Sequence, residues 1–354
     1  MIKFKFTFLL AFACLVISTL SAQESYKPRI FGLVKALYEV DTYDGRMAFS
    51  VRNSRIGIRG NMNPYWGYLM QMQLNSRGTL EILDVCVSYR RNDFEFSIGQ
   101  QQYQFGTELN RGTSKSYFAD HSFIGRFITT YYDRASDGPE LHHIGSRDIG
   151  VMVQHHSNES LPVYALLGVF KGGGIRIHEW SHSVSVTGKV GIGPQLLNGL
   201  CGGINGYYGH TPYGDRMVMY GANLNYIRGN WIIEGEYASR LLGKGTGDDT
   251  SDMVAVNVVR TCPLNRKIGP LKFIAPMVRW DYGRDVPFEN TAAELERFSG
   301  NRITAGITLG MGEKLFQKEL RINYEHYLIN GKPSDYGNNP LLHNKVVLEL
   351  FMTF

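Results

Sequence analysis

Arg302-Ile303-Thr304-Ala305-Gly306-Ile307-Thr308-Leu309-Gly310-Met311 alternates without a break. Ile303, Ala305, Ile307, Leu309 and Met311 fall on one side of an extended chain. Arg302, Thr304, Gly306, Thr308 and Gly310 fall on the other. Successive side chains of a strand point to opposite faces, so this segment stands between an apolar medium and a polar one. At about ten residues it also has the length of a tilted strand that crosses a bilayer, whereas sandwich strands run nearer five or six.

The pattern recurs through most of the chain. Val184, Val186, Val190 and Ile192 oppose Ser183, Ser185, Thr187 and Lys189. Leu320, Ile322, Tyr324 and Leu328 oppose Glu319, Arg321, Asn323 and Glu325. Val218, Tyr220 and Leu224 oppose Met219, Gly221 and Asn223; Trp231, Ile233 and Tyr237 oppose Glu234, Glu236 and Arg240. Val163–Phe170 is apolar on both faces, Leu200–Gly209 is mostly Gly and Tyr, and Met47–Gly60 changes face near residues 52–54, which is read as a bulge.

About sixteen such strands are predicted. Their connections alternate between short (Asn61–Pro64, Arg91–Asn92, Arg228–Asn230) and long (Gln104–Ser146, Lys171–Trp180, Leu241–Thr250, Arg284–Gly300, Gly331–His343). Two connections break the rule: Ser76–Gly78 is short on the long side, and Thr261–Pro270 is long on the short side. The fold class read from this is all-β: a transmembrane antiparallel barrel with short turns at one rim, long loops at the other, and a long third loop folded inward.

Composition agrees. Of 354 residues, 43% are hydrophobic and only 19% charged, with 40 Gly, 21 Tyr and 19 Phe. A mean hydropathy of −0.20 argues against a bundle of membrane helices. The apolar content is read as the outward face of each strand rather than as a core. Met1–Ala22 reads as a secretory leader, with Lys3 and Lys5 ahead of the apolar stretch Phe6–Leu20 and cleavage before Gln23, leaving residues 23–354 as one barrel domain. Losing both lysines lowers the formal charge from +5 to +3, too little for a nucleic-acid partner. Cys86, Cys201 and Cys262 then remain, an odd set that makes no disulfide framework.

The chain ends Val346-Val347-Leu348-Glu349-Leu350-Phe351-Met352-Thr353-Phe354. An alternating last strand with a terminal Phe looks like the signature that outer-membrane barrels present to their assembly machinery. Further segments resemble the phosphate-selective porins of Gram-negative outer membranes, the porin O/P family. They are Ser54-Arg55-Ile56-Gly57-Ile58-Arg59-Gly60, Leu83-Asp84-Val85 followed by Phe96-Ser97-Ile98-Gly99-Gln100, Phe105-Gly106-Thr107-Glu108, Tyr164 to Gly174, and Met217 to Tyr237. Gln104 stands where that family has Pro before the Phe, and a dense run of loop cations is missing.

The resemblance implies a passive outer-membrane channel for small hydrophilic solutes, in contact with outer-membrane lipid and assembled as a homotrimer, and it supports a porin of this superfamily better than a phosphate-selective one; a preference for anions, phosphate among them, follows if the basic set prevails at the narrowest point. Selectivity would be set where a loop narrows the pore. The constriction candidates are Arg111, Lys115, Arg126, Arg134, Glu108 and Asp120 in the longest connection. Lys35, Arg55, Arg59, Lys189, Arg279, Arg302 and Arg321 fall on the predicted lumen face, since an Arg or Lys facing lipid at mid-depth costs roughly 2–4 kcal/mol. Phe354 is the assembly-signal candidate.

No enzyme motif, metal set or cofactor site is read. Gly188-Lys189-Val190-Gly191-Ile192-Gly193 lacks the spacing of a phosphate loop. His142-His143, His155-His156 and His178 with His182 are read as surface histidines, and Asp248, Asp249 and Asp252 as an exposed loop tip. Two alternatives stay open: a barrel that serves surface binding or adhesion, and a secreted carbohydrate-binding or hydrolytic β-protein.

Overall fold

A computed structural model describes residues 26–51, 53–74, 79–133, 140–143, 145–158, 160, 162–175, 184–197, 199–211, 214–243, 248–289, 295–330, 334, 336–337 and 340–354. The predicted leader, Met1–Ala22, lies outside them, as do Arg134, His178 and His182.

The chain runs through β1 (Arg29–Asp41), β2 (Met47–Ser50), β3 (Ser54–Asn61), β4 (Trp66–Leu74), β5 (Leu80–Arg91) and β6 (Phe94–Gln102). A long connection follows, holding the short helix α1 (Phe123–Phe127) and a small hairpin, β7 (Thr130–Asp133) with β8 (Glu140–His143). The wall resumes with β9 (Arg147–His155), β10 (Val163–Phe170), β11 (Ser185–Leu197), β12 (Leu200–His210), β13 (Arg216–Arg228) and β14 (Trp231–Gly243). It ends with β15 (Asp248–Arg260), β16 (Cys262–Ile268), β17 (Leu271–Glu289), β18 (Leu295–Gly310), β19 (Lys318–Asn330) and β20 (Lys345–Thr353).

Each wall strand pairs antiparallel with its neighbours, and β1 pairs with β20 from Leu33↔Thr353 to Asp41↔Lys345, which closes the cylinder. Both β2 and β3 pair with β1, and both β15 and β16 pair with β17, so the eighteen bonded segments make sixteen wall positions. The face change near residues 52–54 is therefore a break between two strands rather than a bulge, with Asn53 in the left-handed region at φ 63°.

Two of the predicted loops are also largely strand. Thr261–Pro270 is β16 plus a two-residue turn, Gly269-Pro270, which removes that exception to the short-turn rule. Arg284–Gly300 is mostly β17 and β18, paired as far as Glu289↔Leu295 beyond a register shift at Gly283/Val286.

The outside is a continuous apolar belt. Ile204 is 67% exposed and Leu224 60%, and Val34, Met70, Ile98, Val169, Val278, Ile303 and Leu350 are exposed likewise. An apolar surface that encircles the molecule far exceeds what a water-soluble monomer leaves bare. It faces lipid.

The inside is not uniformly wet, and here the reading of the apolar content is corrected. Phe105, Leu109, Phe123, Ile124, Phe127 and Ile128 of the long connection pack as a buried cluster on Met217, Met219, Ala238, Leu242, Met253 and Ala255 of β13, β14 and β15. Phe288 and Phe298 of the extended β17–β18 hairpin join it. Tyr117 and Phe118 make a second cluster with Val259, Phe273, Ala275 and Met277. A true core thus occupies one side of the barrel. It also explains why β10 is apolar on both faces: Phe170 points into the core and Val169 outward to lipid.

Candidate functional site

A connection that enters a barrel loses water before it gains a hydrogen-bonded partner strand, so its backbone groups need other partners. Here the wall charges supply them. Lys189 Nζ donates to the Gly106 carbonyl (2.8 Å), Arg279 to that of Asp120 (2.9 Å), Arg302 Nη2 to that of His121 (2.6 Å) and Lys35 Nζ to that of Ala119 (3.5 Å). Arg240 donates to the carbonyl of Thr130. In the other direction, the Glu236 carboxylate accepts the N–H groups of Thr107 (3.0 Å) and Glu108 (2.7 Å). Gly106 turns the chain there at φ 64°, and a Cβ at that position would collide with Glu236 Oε1. Ser122 caps α1, accepting from Gly125 N at 3.1 Å.

Side chains reinforce the docking. Arg111 pairs with Glu108 and with Glu234 of β14, while its guanidinium lies 4.5 Å from the centre of the Tyr117 ring. Asp120 pairs with Lys345. Behind the connection runs a buried ion network: Arg302 with Asp281 (2.7 Å) and Glu325 (3.3 Å), and Arg321 with Glu319 (2.6 Å) and Glu349 (2.8 Å).

All seven predicted wall cations point into the barrel, but they fall into two groups. Lys35, Lys189, Arg279, Arg302 and Arg321 spend their charge on carboxylates or on carbonyls of the connection. Arg55 and Arg59 line a cavity. Of the connection's candidates, Glu108, Arg111 and Asp120 sit within the docking contacts, Arg126 lies 5.4 Å from the Phe127 ring centre, and Lys115 reaches open space. The triad Asp248, Asp249 and Asp252 is not a loop tip: Asp249 is buried and pairs with Arg297 and Arg240, and Asp252 pairs with Arg284 on the wall.

That cavity has a volume of about 720 Å³ along β1, β3, β4, β5, β6 and β9, and it meets the apolar core at Met152, which belongs to both. It extends from residues flanking the short turns, Asn61 and Arg90, to Gly112, Ser114 and Lys115 of the connection. Its charge is one-sided. Seven cations line it (Lys27, Arg29, Arg55, Arg59, Arg90, Lys115 and Arg147) against two carboxylates, Asp84 and Glu95. The carboxylates are already engaged: Arg147 clamps Asp84 through both oxygens (2.9 and 3.1 Å), and Arg90 holds Glu95 at 2.7 Å. Among the described residues, no carboxylate pairs with Arg29, Arg55, Arg59 or Lys115. Arg55 Nε is aimed by Gln73 Oε1 (2.7 Å), and the Arg59 guanidinium lies over Phe31, 5.1 Å from the ring centre. Lys27, Arg29, Arg90 and Arg147 were missed in the sequence because nothing in their spacing tells an open lumen from a filled one.

His121 lies where the connection meets the wall. Desolvation first, then the positive charge of Lys35, pushes its pKa down to about 4. An unfolded His titrates near about 6.5, so between those values the unfolded chain binds more protons. Stability from this group is full above about pH 6.5 and is lost as pH falls toward 4. Thermal unfolding in detergent is expected to show a falling midpoint over that window, and His121→Asn is expected to flatten the slope.

Residues 29–159 match the phosphate-selective porin O and P family. That stretch runs from β1 through β9 and supplies the strands that line the cavity together with the connection docked beside it. A comparison with curated proteins by sequence gives no match. Among solved structures, the fold is similar to that of an anion-selective porin from Comamonas acidovorans (TM-score 0.61, 13% identity, covering 93% of this chain and 99% of that one). It is also similar to OmpF of Salmonella typhi in complex with daunomycin (0.60, 11%, 93% and 98%) and to the trimer form of OmpT, an outer membrane protein of Vibrio cholerae (0.59, 14%, 94% and 100%). At these identities the likeness is one of fold: a closed sixteen-strand antiparallel barrel of the outer-membrane porin type.

Proposed function

We propose that this protein is an outer-membrane porin that carries small hydrophilic solutes past a constriction and prefers anions. The observation that carries this is the cavity whose unpaired charges are all cationic. In a channel the mobile ion meets only charges not already cancelled, so Arg29, Arg55, Arg59 and Lys115 set the field and the buried pairs do not. The docked connection acts as the constriction, with Lys115 at its tip and Glu108, Arg111 and Asp120 as its anchors. The family match and the porin-type fold support a channel rather than an enzyme. The chain enters the outer membrane after removal of a leader near Ala22, assembles as a trimer, and presents Phe354 to the assembly machinery.

The apolar core inside the barrel favours the second reading, a barrel closed in its interior that works through its long loops at the surface. Planar-bilayer recording separates the two. Purified folded protein is expected to give discrete current steps and, in a KCl gradient, a zero-current potential of the sign set by chloride. Absence of current selects the surface-binding barrel, and a cation-selective potential overturns the anion preference. Cys86 lines the cavity and makes no disulfide, so a water-soluble anionic methanethiosulfonate is expected to reduce the current in native protein and leave Cys86→Ser unaffected.

A further inference from the structure

The cavity holds a second set of groups that ion selectivity alone does not use. Gln71 of β4, Gln104 and Asn110 of the connection, and Gln154 of β9 all line it. Among the described residues, the side-chain amides of Gln71, Gln104 and Gln154 make no hydrogen bond to the protein, and Asn110 Nδ2 is buried without a partner. Asn110 Oδ1 accepts from Phe105 N (2.7 Å), which leaves that Nδ2 as the free end of a fixed amide.

An amide presents a donor and an acceptor side by side. An inorganic oxyanion near neutral pH mostly accepts, so a site built for it alone needs only donors, and the amide oxygens would face its oxygens unfavourably. A hydroxyl both donates and accepts and satisfies an amide completely. The cations recognise a negative group, and the amides recognise neutral polar groups carried on the same molecule. The volume of about 720 Å³ is in the range of small-molecule sites, roughly 300–1,000 Å³, and far larger than a bare oxyanion fills.

We propose that the cavity is a binding site for polyhydroxylated organic anions, such as sugar acids, with the field of Arg29, Arg55, Arg59 and Lys115 attracting the anionic group and the amides of Gln71, Gln104 and Gln154 holding hydroxyls. The inference rests on the porin reading, and its test keeps the two apart. Glucuronate and cyclohexanecarboxylate share a six-membered ring and one carboxylate and differ chiefly in the hydroxyls. Each is added to the bath while chloride current is recorded through single channels. Glucuronate is expected to reduce the current at about tenfold lower concentration, the effect of one or two net hydrogen bonds. Gln71→Leu with Gln154→Leu is expected to bring the two blockers together, and Gln154→Ala alone to narrow the gap. Equal block of the native protein by both anions overturns the inference, as does stronger block by inorganic phosphate than by glucuronate. The zero-current potential in the same recordings reports the anion preference separately: its reversal, or the absence of any channel, overturns the porin reading itself.

Discussion

Replacing Arg55, Arg59 and Lys115 together by glutamate is expected to change the sign of the zero-current potential in a KCl gradient. A unit charge about 5 Å from an ion is worth roughly 0.8 kcal/mol at the dielectric of water. Reversal moves each site by two charges and acts oppositely on chloride and potassium. Screening at about 0.1 M salt, where the Debye length is near 10 Å, removes part of this. A shift of about tenfold in the anion-to-cation permeability ratio for each site is the expected size. The same reversal at Arg321, which is buried between Glu319 and Glu349, tests the opposite point. Its charge is already cancelled, so its damage is to stability. Equal effects on selectivity at Arg321 and Arg55 would show that the open cavity is not where ions are sorted.

Arg302→Ala is expected to give the largest loss of stability. Its guanidinium bonds Asp281, Glu325, Tyr327 and the His121 carbonyl and is wholly buried. Removing it takes a charged donor from both carboxylates, leaving Asp281 with Arg279 and Glu325 with the Tyr327 hydroxyl and Lys345, and takes its donor from the His121 carbonyl. Breaking a buried ion pair from one side costs about 3–5 kcal/mol. Asp281 also accepts from Phe123 N, so the loss reaches the start of α1 and the core behind it. The expected result is a lower temperature for the shift between folded and unfolded mobility on gels, together with larger or noisier channel openings as the connection loosens. An unchanged transition would show that the connection is held by its apolar contacts alone.

Much of the wall was legible. β18 and β19 alternate cleanly because lipid lies outside and polar or charged groups lie inside. Period two assigns a face, however, and does not say what that face meets. Arg55 and Arg302 have the same signature in sequence, yet one borders open space and the other is buried against a carbonyl 181 residues away. The filled side left two signals. One is the inward Met217, Met219 and Met253, which a water-filled lumen does not call for. The other is the crowding of Tyr103, Phe105, Leu109, Phe123, Ile124 and Phe127 into one connection, too apolar to stand in solvent. The strand ends were least legible, because β17 and β18 continue to pair well past the point where their alternation fades.

The seam of the cylinder has a consequence in time. Gly32 N donates to the Phe354 carbonyl (3.0 Å) and Phe354 N to that of Gly32 (3.1 Å), and the terminal ring lies where a Cβ on Gly32 would stand. The two residues are roughly 320 positions apart, and joining ends so distant costs about 5 kcal/mol of chain entropy. Every hairpin between them closes a shorter loop at lower cost and faster. On loop entropy alone, sealing the wall is therefore expected to be the last step of folding. Until the seam closes, the sheet keeps two unpaired edges, each a template for pairing with another chain.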